Sequence, residues 1–116
     1  MATPRRGEIY TVNFARSEGA RIEKERPAVI IQNDIGNRHA PHTIVAAVRA
    51  AGGKETLPVF VRIPKGTAGL TKDSLTDCGH ITTIATDDQL GKRWGKLPDS
   101  LVMALNTALK RSLDLS

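Results

Sequence analysis

The chain is poor in cysteine and in aromatic residues, and each shortage excludes something. Cys78 stands alone among 116 residues, so no internal disulfide can form and no cysteine cluster is available for zinc. A chain without disulfides fits a reducing compartment. Aromatics make up 3% of the residues (Tyr10, Phe14, Phe60 and Trp94), which argues against a single-strand binder built on a platform of stacked rings. No apolar run approaches the roughly 20 residues that a membrane span needs. The opening Met1-Ala2-Thr3-Pro4-Arg5-Arg6 lacks the apolar core of a signal peptide. The expectation is a cytoplasmic protein without membrane contact.

What is present is an ordinary globular composition with a basic excess. Hydrophobic residues are 40% and charged residues 25%, which excludes a disordered chain. The length suits one domain spanning residues 1–116. A net charge of +5 suits a polyanion, RNA or DNA, or an acidic protein partner. With so few rings, RNA would have to be held by phosphate contacts and hydrogen bonds.

Periodicity gives a run of short strands closed by one helix. Glu8 to Phe14 alternates, with Tyr10, Val12 and Phe14 on one face, and reads as a half-buried strand. Ala15 to Glu25 is polar and charged and reads as a long loop of the kind that tends to be functional. Pro27 to Ile31 reads as a buried strand, and Gln32 to Pro41 as a dense turn cluster. Thr43–Val48 and Leu57–Ile63 read as further strands, and Ser74–Cys78 and His80–Ala85 as two more. A helix is expected from Pro98-Asp99-Ser100 with Asp99 or Ser100 as its cap. Leu101, Leu105 and Leu109 give it an apolar stripe. Strands with turns between them and one closing helix suggest a small twisted barrel.

Several segments, in order and nearly without gaps, resemble the MazF/PemK family. They are Arg6-Gly7-Glu8-Ile9-Tyr10, Lys24-Glu25-Arg26-Pro27-Ala28-Val29-Ile30, Gln32-Asn33-Asp34-Ile35-Gly36-Asn37, Ile44 to Val48, Asp73-Ser74, Ile81-Thr82-Thr83-Ile84, and Leu90 to Leu97. The resemblance implies a mainly β fold, an SH3-like barrel with a C-terminal helix, and a homodimer. It also implies metal-independent, ribosome-independent cleavage of single-stranded mRNA at short sequences, with no cofactor. The implied partner is a cognate MazE/PemI-like antitoxin with an acidic, partly disordered tail.

Such cleavage uses the ribose 2′-hydroxyl as an internal nucleophile on the adjacent phosphorus. The protein must take up the 2′-proton, stabilise charge on the phosphoryl oxygens and allow protonation of the leaving 5′-oxygen. Arg26 is the first candidate: it follows a loop, precedes a buried strand, and falls on the family's catalytic arginine. Its planar fork suits a phosphate, while its always-protonated guanidinium suits charge stabilisation and not proton transfer. Arg49 falls where relatives carry a catalytic threonine, and can grip the phosphate but not reproduce a hydroxyl; Thr43 and Thr82 are the hydroxyls to consider nearby. His80 occupies the place of a family glutamine and is the side chain type that titrates near neutrality. Arg21 and Lys24, with Arg16, are candidates to clamp the RNA backbone. Gln32, Asn33 and Asp34 have the groups to read splayed bases, or to act as turn formers. Asp73 and Ser74 match an RNA-contacting strand of the family, and His39 and His42 are loop candidates. The other reading is a non-catalytic protein of the same fold, either a gyrase-poison-like protein or a degenerate binder of RNA or antitoxin.

Overall fold

The computed structural model of the protein describes residues 3–16, 25–52 and 57–115. Six strands form one antiparallel sheet: β1 (Glu8–Asn13), β2 (Glu25–Ile30), β3 (His42–Ala50), β4 (Phe60–Ile63), β5 (Ser74–Ala85) and β6 (Leu90–Lys96). Their spatial order is β4-β5-β3-β2-β1-β6. Helices α1 (Asp34–His39), α2 (Thr86–Gln89) and α3 (Asp99–Ser112) fill the connections and the end of the chain. Single 3-10 turns follow β1 (Phe14–Arg16) and β4 (Thr67–Gly69).

The expected barrel is a bent open sheet whose edges meet without strand pairing. No hydrogen-bonded ladder joins β4 to β6 among the described residues. Instead the 3-10 turn after β4 packs on β6. The approach is possible because glycines face each other there. A Cβ on Gly95 would lie 2.8 Å from the Ala68 carbonyl carbon, and one on Gly69, whose φ is +82°, would lie 2.7 Å from the Trp94 carbonyl oxygen. Two missing side chains let backbone touch backbone, and that contact closes the fold.

Two apolar clusters form on the two faces of the sheet. Ile9, Val29, Ala46, Val48, Val61, Ile63 and Leu97 pack with Leu105 and Ala108 of α3. Tyr10, Val12, Phe14, Ala28, Ile30, Val45 and Ile84 make the second cluster. β1 is thus covered on both faces along most of its length, and not half-buried as its alternation suggests. The α3 stripe behaves as expected: Leu105 is fully buried, with Leu101 and Leu109 packed beside it. Burying such a leucine contributes about 1.5–3 kcal/mol.

Four local expectations need correction, and one strand went unread. The turn cluster at Gln32–Pro41 contains α1, because Asn33 caps it: the Asn33 side chain accepts from the Gly36 N–H at 2.8 Å. The two short strands around Gly79 are one strand, β5, which carries the break as a bulge. Ala46 pairs with Ile81 but Val48 pairs with Thr76, so Asp77–His80 bow out opposite Ala47. β6, whose glycines and cations hide any alternation, is a full edge strand on β1. Neither Asp99 nor Ser100 caps α3; Pro98 holds that position with no side-chain cap bond. In addition β4 begins at Phe60 and not at Leu57.

Candidate active site

Strand register brings two arginines together. β2 and β3 pair Ala28 with Ala47, Val29 with Ala46 and Ile30 with Val45. The ladder ends at Ala28 and Ala47, and two residues beyond it in the same register come Arg26 and Arg49, both exposed. Both are in step with Ala28 and Ala47, so they continue the face of the second apolar cluster beyond its edge. Arg49 is steered by an aromatic ring: its guanidinium carbon lies 5.7 Å from the centroid of Phe60 on β4.

Arg26 and Arg49 line two adjoining cavities. One, of about 280 Å³, is completed by Ala47, Val48, Asp77 and His80. The other, of about 220 Å³, is walled by Pro27, Leu70, Thr71, Lys72 and Trp94. The first exists because of the β5 bulge, which places exposed His80 beside the arginines. The bulge is held by Asp77, whose Oδ1 accepts the Gly79 N–H at 2.8 Å, and by the Cys78 N–H, which donates to the Val59 carbonyl at 2.8 Å. In the second lobe Trp94 is fixed by its indole N–H, which donates to Thr11 Oγ1 at 2.7 Å. The structure thus gathers Arg26, Arg49 and His80 around one cleft of two lobes with a cationic divide.

The remaining candidates lie elsewhere or are engaged in the fold. Gln32 is buried, and its Nε2 donates to Asn37 Oδ1 at 3.1 Å and to the His42 carbonyl at 3.0 Å. Asn33 is the α1 cap, and Asp34 Oδ1 accepts the Arg6 N–H at 2.7 Å. Asp73 Oδ1 accepts the Lys65 N–H at 2.8 Å. The Ser74 hydroxyl borders the second lobe and donates to the Lys72 carbonyl at 2.9 Å. His42 starts β3 and lies seven residues from Arg49, roughly 23 Å along an extended strand. His39 is exposed at the end of α1. Thr43 is fully buried and donates to Asn37 Oδ1 at 2.6 Å, so its hydroxyl is not in the cleft. Thr82 is half-buried opposite Val45. Arg21 and Lys24 lie outside the described residues.

Sequence reasoning missed Thr71, Lys72, Asp77 and Trp94 as cleft residues and Phe60 as the ring that steers Arg49. Only the scarcity of rings could have drawn attention to Phe60 and Trp94. The Arg6-Gly7-Glu8-Ile9-Tyr10 opening is a brace. Arg6 Nε donates to the Ile31 carbonyl at 2.9 Å, and buried Glu8 accepts both the Arg5 N–H at 2.6 Å and Arg93 Nε at 2.5 Å. Burial, reinforced by the neighbouring Glu8 carboxylate, pushes the Tyr10 phenol up. Cys78 is fully buried, and burial pushes its thiol up to about 11. It is a poor nucleophile. Among the described residues no group of three or more His, Cys, Asp or Glu side chains is arranged to hold a metal ion, and no helix is long and apolar enough to cross a membrane.

A bent antiparallel sheet with one packed terminal helix and an arginine-walled cleft defines a small, basic, mainly β protein with a cationic cleft. The profile of the family described as PemK-like, MazF-like toxin of type II toxin–antitoxin system matches residues 5–113. The chain belongs to that family. It is 35% identical over 111 residues to "Endoribonuclease MazF" of Staphylococcus saprophyticus, covering 96% of this chain and 92% of that protein. The fold is similar to an endoribonuclease solved in complex with its cognate antitoxin from a mycobacterial species, with TM-score 0.80, 22% identity, and coverage of 97% of each chain. It is also similar to the Mycobacterium tuberculosis toxin MazF-mt6, with TM-score 0.77, 25% identity, and coverage of 94% of this chain and 98% of that one.

Proposed function

We propose that the chain is a sequence-specific, ribosome-independent, metal-independent endoribonuclease, the toxin of a type II toxin–antitoxin pair, that cuts single-stranded mRNA. Its relative in S. saprophyticus is named an endoribonuclease. The observation that carries the mechanism is the cleft shared by Arg26, Arg49 and His80.

The two guanidiniums hold the scissile phosphate. Each presents a planar fork of donors, and opposed forks neutralise the charge that builds on the phosphoryl oxygens as phosphorus becomes five-coordinate. Arginine stays protonated and cannot take the 2′-proton. Of the groups lining this lobe, the exposed imidazole of His80 is assigned the acceptor's role, while Asp77 holds the bulge through Oδ1. The 2′-hydroxyl proton passes to the imidazole as the 2′-oxygen bonds to phosphorus. The bond from phosphorus to the 5′-oxygen breaks, and the leaving oxygen takes a proton from solvent. The products are a 2′,3′-cyclic phosphate and a 5′-hydroxyl end. Here Arg49 takes up the phosphate-holding work at the position where the resemblance places a catalytic threonine of relatives.

Incubation of purified protein with a long mixed-sequence RNA in EDTA is the test, with 5′-hydroxyl ends mapped for wild type, Arg26→Ala and Arg49→Ala. Discrete cuts by wild type that both variants lose support the reading; intact RNA defeats it.

The partner is a MazE/PemI-like antitoxin whose acidic tail folds over the basic cleft and occludes it. The similarity to a mycobacterial endoribonuclease solved with its antitoxin supports this, as does the net charge of +5. The setting is the cytoplasm, where mRNA lies. Two copies form a homodimer, a reading supported by exposed Leu57, Met103, Leu113 and Leu115, which lone chains seldom leave in water together.

A further inference from the structure

The two lobes of the cleft are unlike, and that difference fixes which way an RNA strand lies. This inference rests on the nuclease reading above. The attacking 2′-oxygen belongs to the ribose on the 5′ side of the scissile phosphate, so that ribose must sit with the proton acceptor. His80 lines only the lobe formed with Ala47 and Asp77. The phosphate sits on the divide, where Arg26 and Arg49 border both lobes. The strand then continues into the other lobe, which among the described residues has no histidine or carboxylate in its lining but has an apolar wall of Pro27, Leu70 and Trp94 with exposed Thr71 and Lys72 beside it.

We infer that this second lobe is the subsite for the nucleobase immediately 3′ of the cut. The flat face of the base lies against Pro27, Leu70 and Trp94, and its edge is read by the Thr71 hydroxyl and the Lys72 ammonium. A flat apolar wall suits any base, because every base has a π face. Hydrogen-bonding groups at the edge are what distinguish one base from another. The wall is rigid on both sides. Trp94 is anchored through its indole N–H to Thr11, and its backbone is pressed against Gly69. Leu70 is almost fully buried in the first apolar cluster. A rigid wall selects more sharply than a loop, since no ordering accompanies binding.

The experiment uses the full-length protein and short RNA oligonucleotides carrying one mapped cut site. In one the nucleotide 3′ of the cut is abasic, and in another the nucleotide 5′ of it is abasic. The expected result is a fall in kcat/KM of about 5- to 150-fold for the 3′ abasic substrate, the range given by losing one stacked base. The 5′ abasic substrate is expected to lose less. In parallel, a Thr71→Ala, Lys72→Ala double variant is offered substrates with all four bases at the 3′ position. Its preference among them should flatten while its preference at the 5′ position persists. A larger penalty for the 5′ abasic substrate, no penalty for either, or an unchanged 3′ preference in the double variant overturns this inference and leaves the nuclease reading standing. Wild-type protein that cuts none of the substrates removes both.

Discussion

Replacing Asn37 by alanine separates two roles that the Gln32-Asn33-Asp34 segment could serve. Asn37 is 6% exposed and is the hub of a closed network. Its Oδ1 accepts from Gln32 Nε2 at 3.1 Å and from the Thr43 hydroxyl at 2.6 Å, and its Nδ2 donates to the Gln32 carbonyl at 3.0 Å. Truncation removes these three bonds and a longer one from Nδ2 to Asp34 Oδ1 at 3.5 Å. Gln32 Nε2 keeps the His42 carbonyl, but the Thr43 hydroxyl is left in a fully buried site. An orphaned buried polar group costs about 1–3 kcal/mol, and two are created here, the Thr43 hydroxyl and the Gln32 carbonyl, so a loss of about 3 kcal/mol is expected. For a domain of this size that lowers Tm by roughly 10–20 °C. Differential scanning calorimetry measures the shift. At a temperature where the variant is still folded, its cut sites on RNA should match those of wild type, because the network lies at the far end of β2 and β3 from the arginines. A Tm within about 3 °C of wild type, or an altered cut-site sequence in the folded variant, would refute the reasoning and return this segment to RNA readout.

Other outcomes follow from the same geometry. Arg26→Lys keeps the charge but loses the fork, and kcat should fall by about a hundredfold with a smaller change in KM, as single-turnover and steady-state rates will show. His80→Ala should cut the rate sharply, and added imidazole should partly restore it; a rate indifferent to the substitution, or to added imidazole, argues against proton transfer at this position. Gly95→Ala drives a Cβ to 2.8 Å from the Ala68 backbone, so a loss of about 1–3 kcal/mol is expected in denaturant titration. Cys78 should resist alkylation in the native protein at pH 8, where a thiol with a pKa of about 11 is ionised to roughly one part in a thousand. Because its folded value is raised above 9.0, Cys78 favours the native state below pH 9, and that contribution is lost as pH climbs from 9.0 towards 11.

The chain's pattern gave away most strands and the closing helix, because burial follows period and α3 carries a clear stripe. It hid what depends on contact between distant backbone. β6 reads as a polar, glycine-rich stretch, yet Gly91 and Gly95 are there because Thr11 and Ala68 come close. The β5 bulge reads as a break at Gly79, and only the register against β3 reveals that one strand runs through it. Within the candidate site, Arg26, Arg49 and His80 could be named from residue type and from resemblance to a family. Their common cleft depends on pairing across β2, β3 and β5, which no local signal encodes. Asn33 and Asp34 were legible in both directions, as turn formers and as readers of bases, and their hydrogen bonds in the fold are those of a cap and a brace.

The facing arginines also bear on why the cleft exists. Like charges in register across an antiparallel pair destabilise a sheet. Here the β2–β3 ladder stops at Ala28 and Ala47, short of the pair that would hold Arg26 against Arg49. Pro27 lies between, and having no N–H it cannot extend the ladder from its own position. The strands are therefore released where the charges would clash, and the gap they leave is the divide between the two lobes. A sheet optimised for stability alone would continue its pairing with β-branched residues at 26 and 49. That this one stops, opens and points two cations into the opening is a local departure from what favours folding, and such departures gather at sites that bind and react.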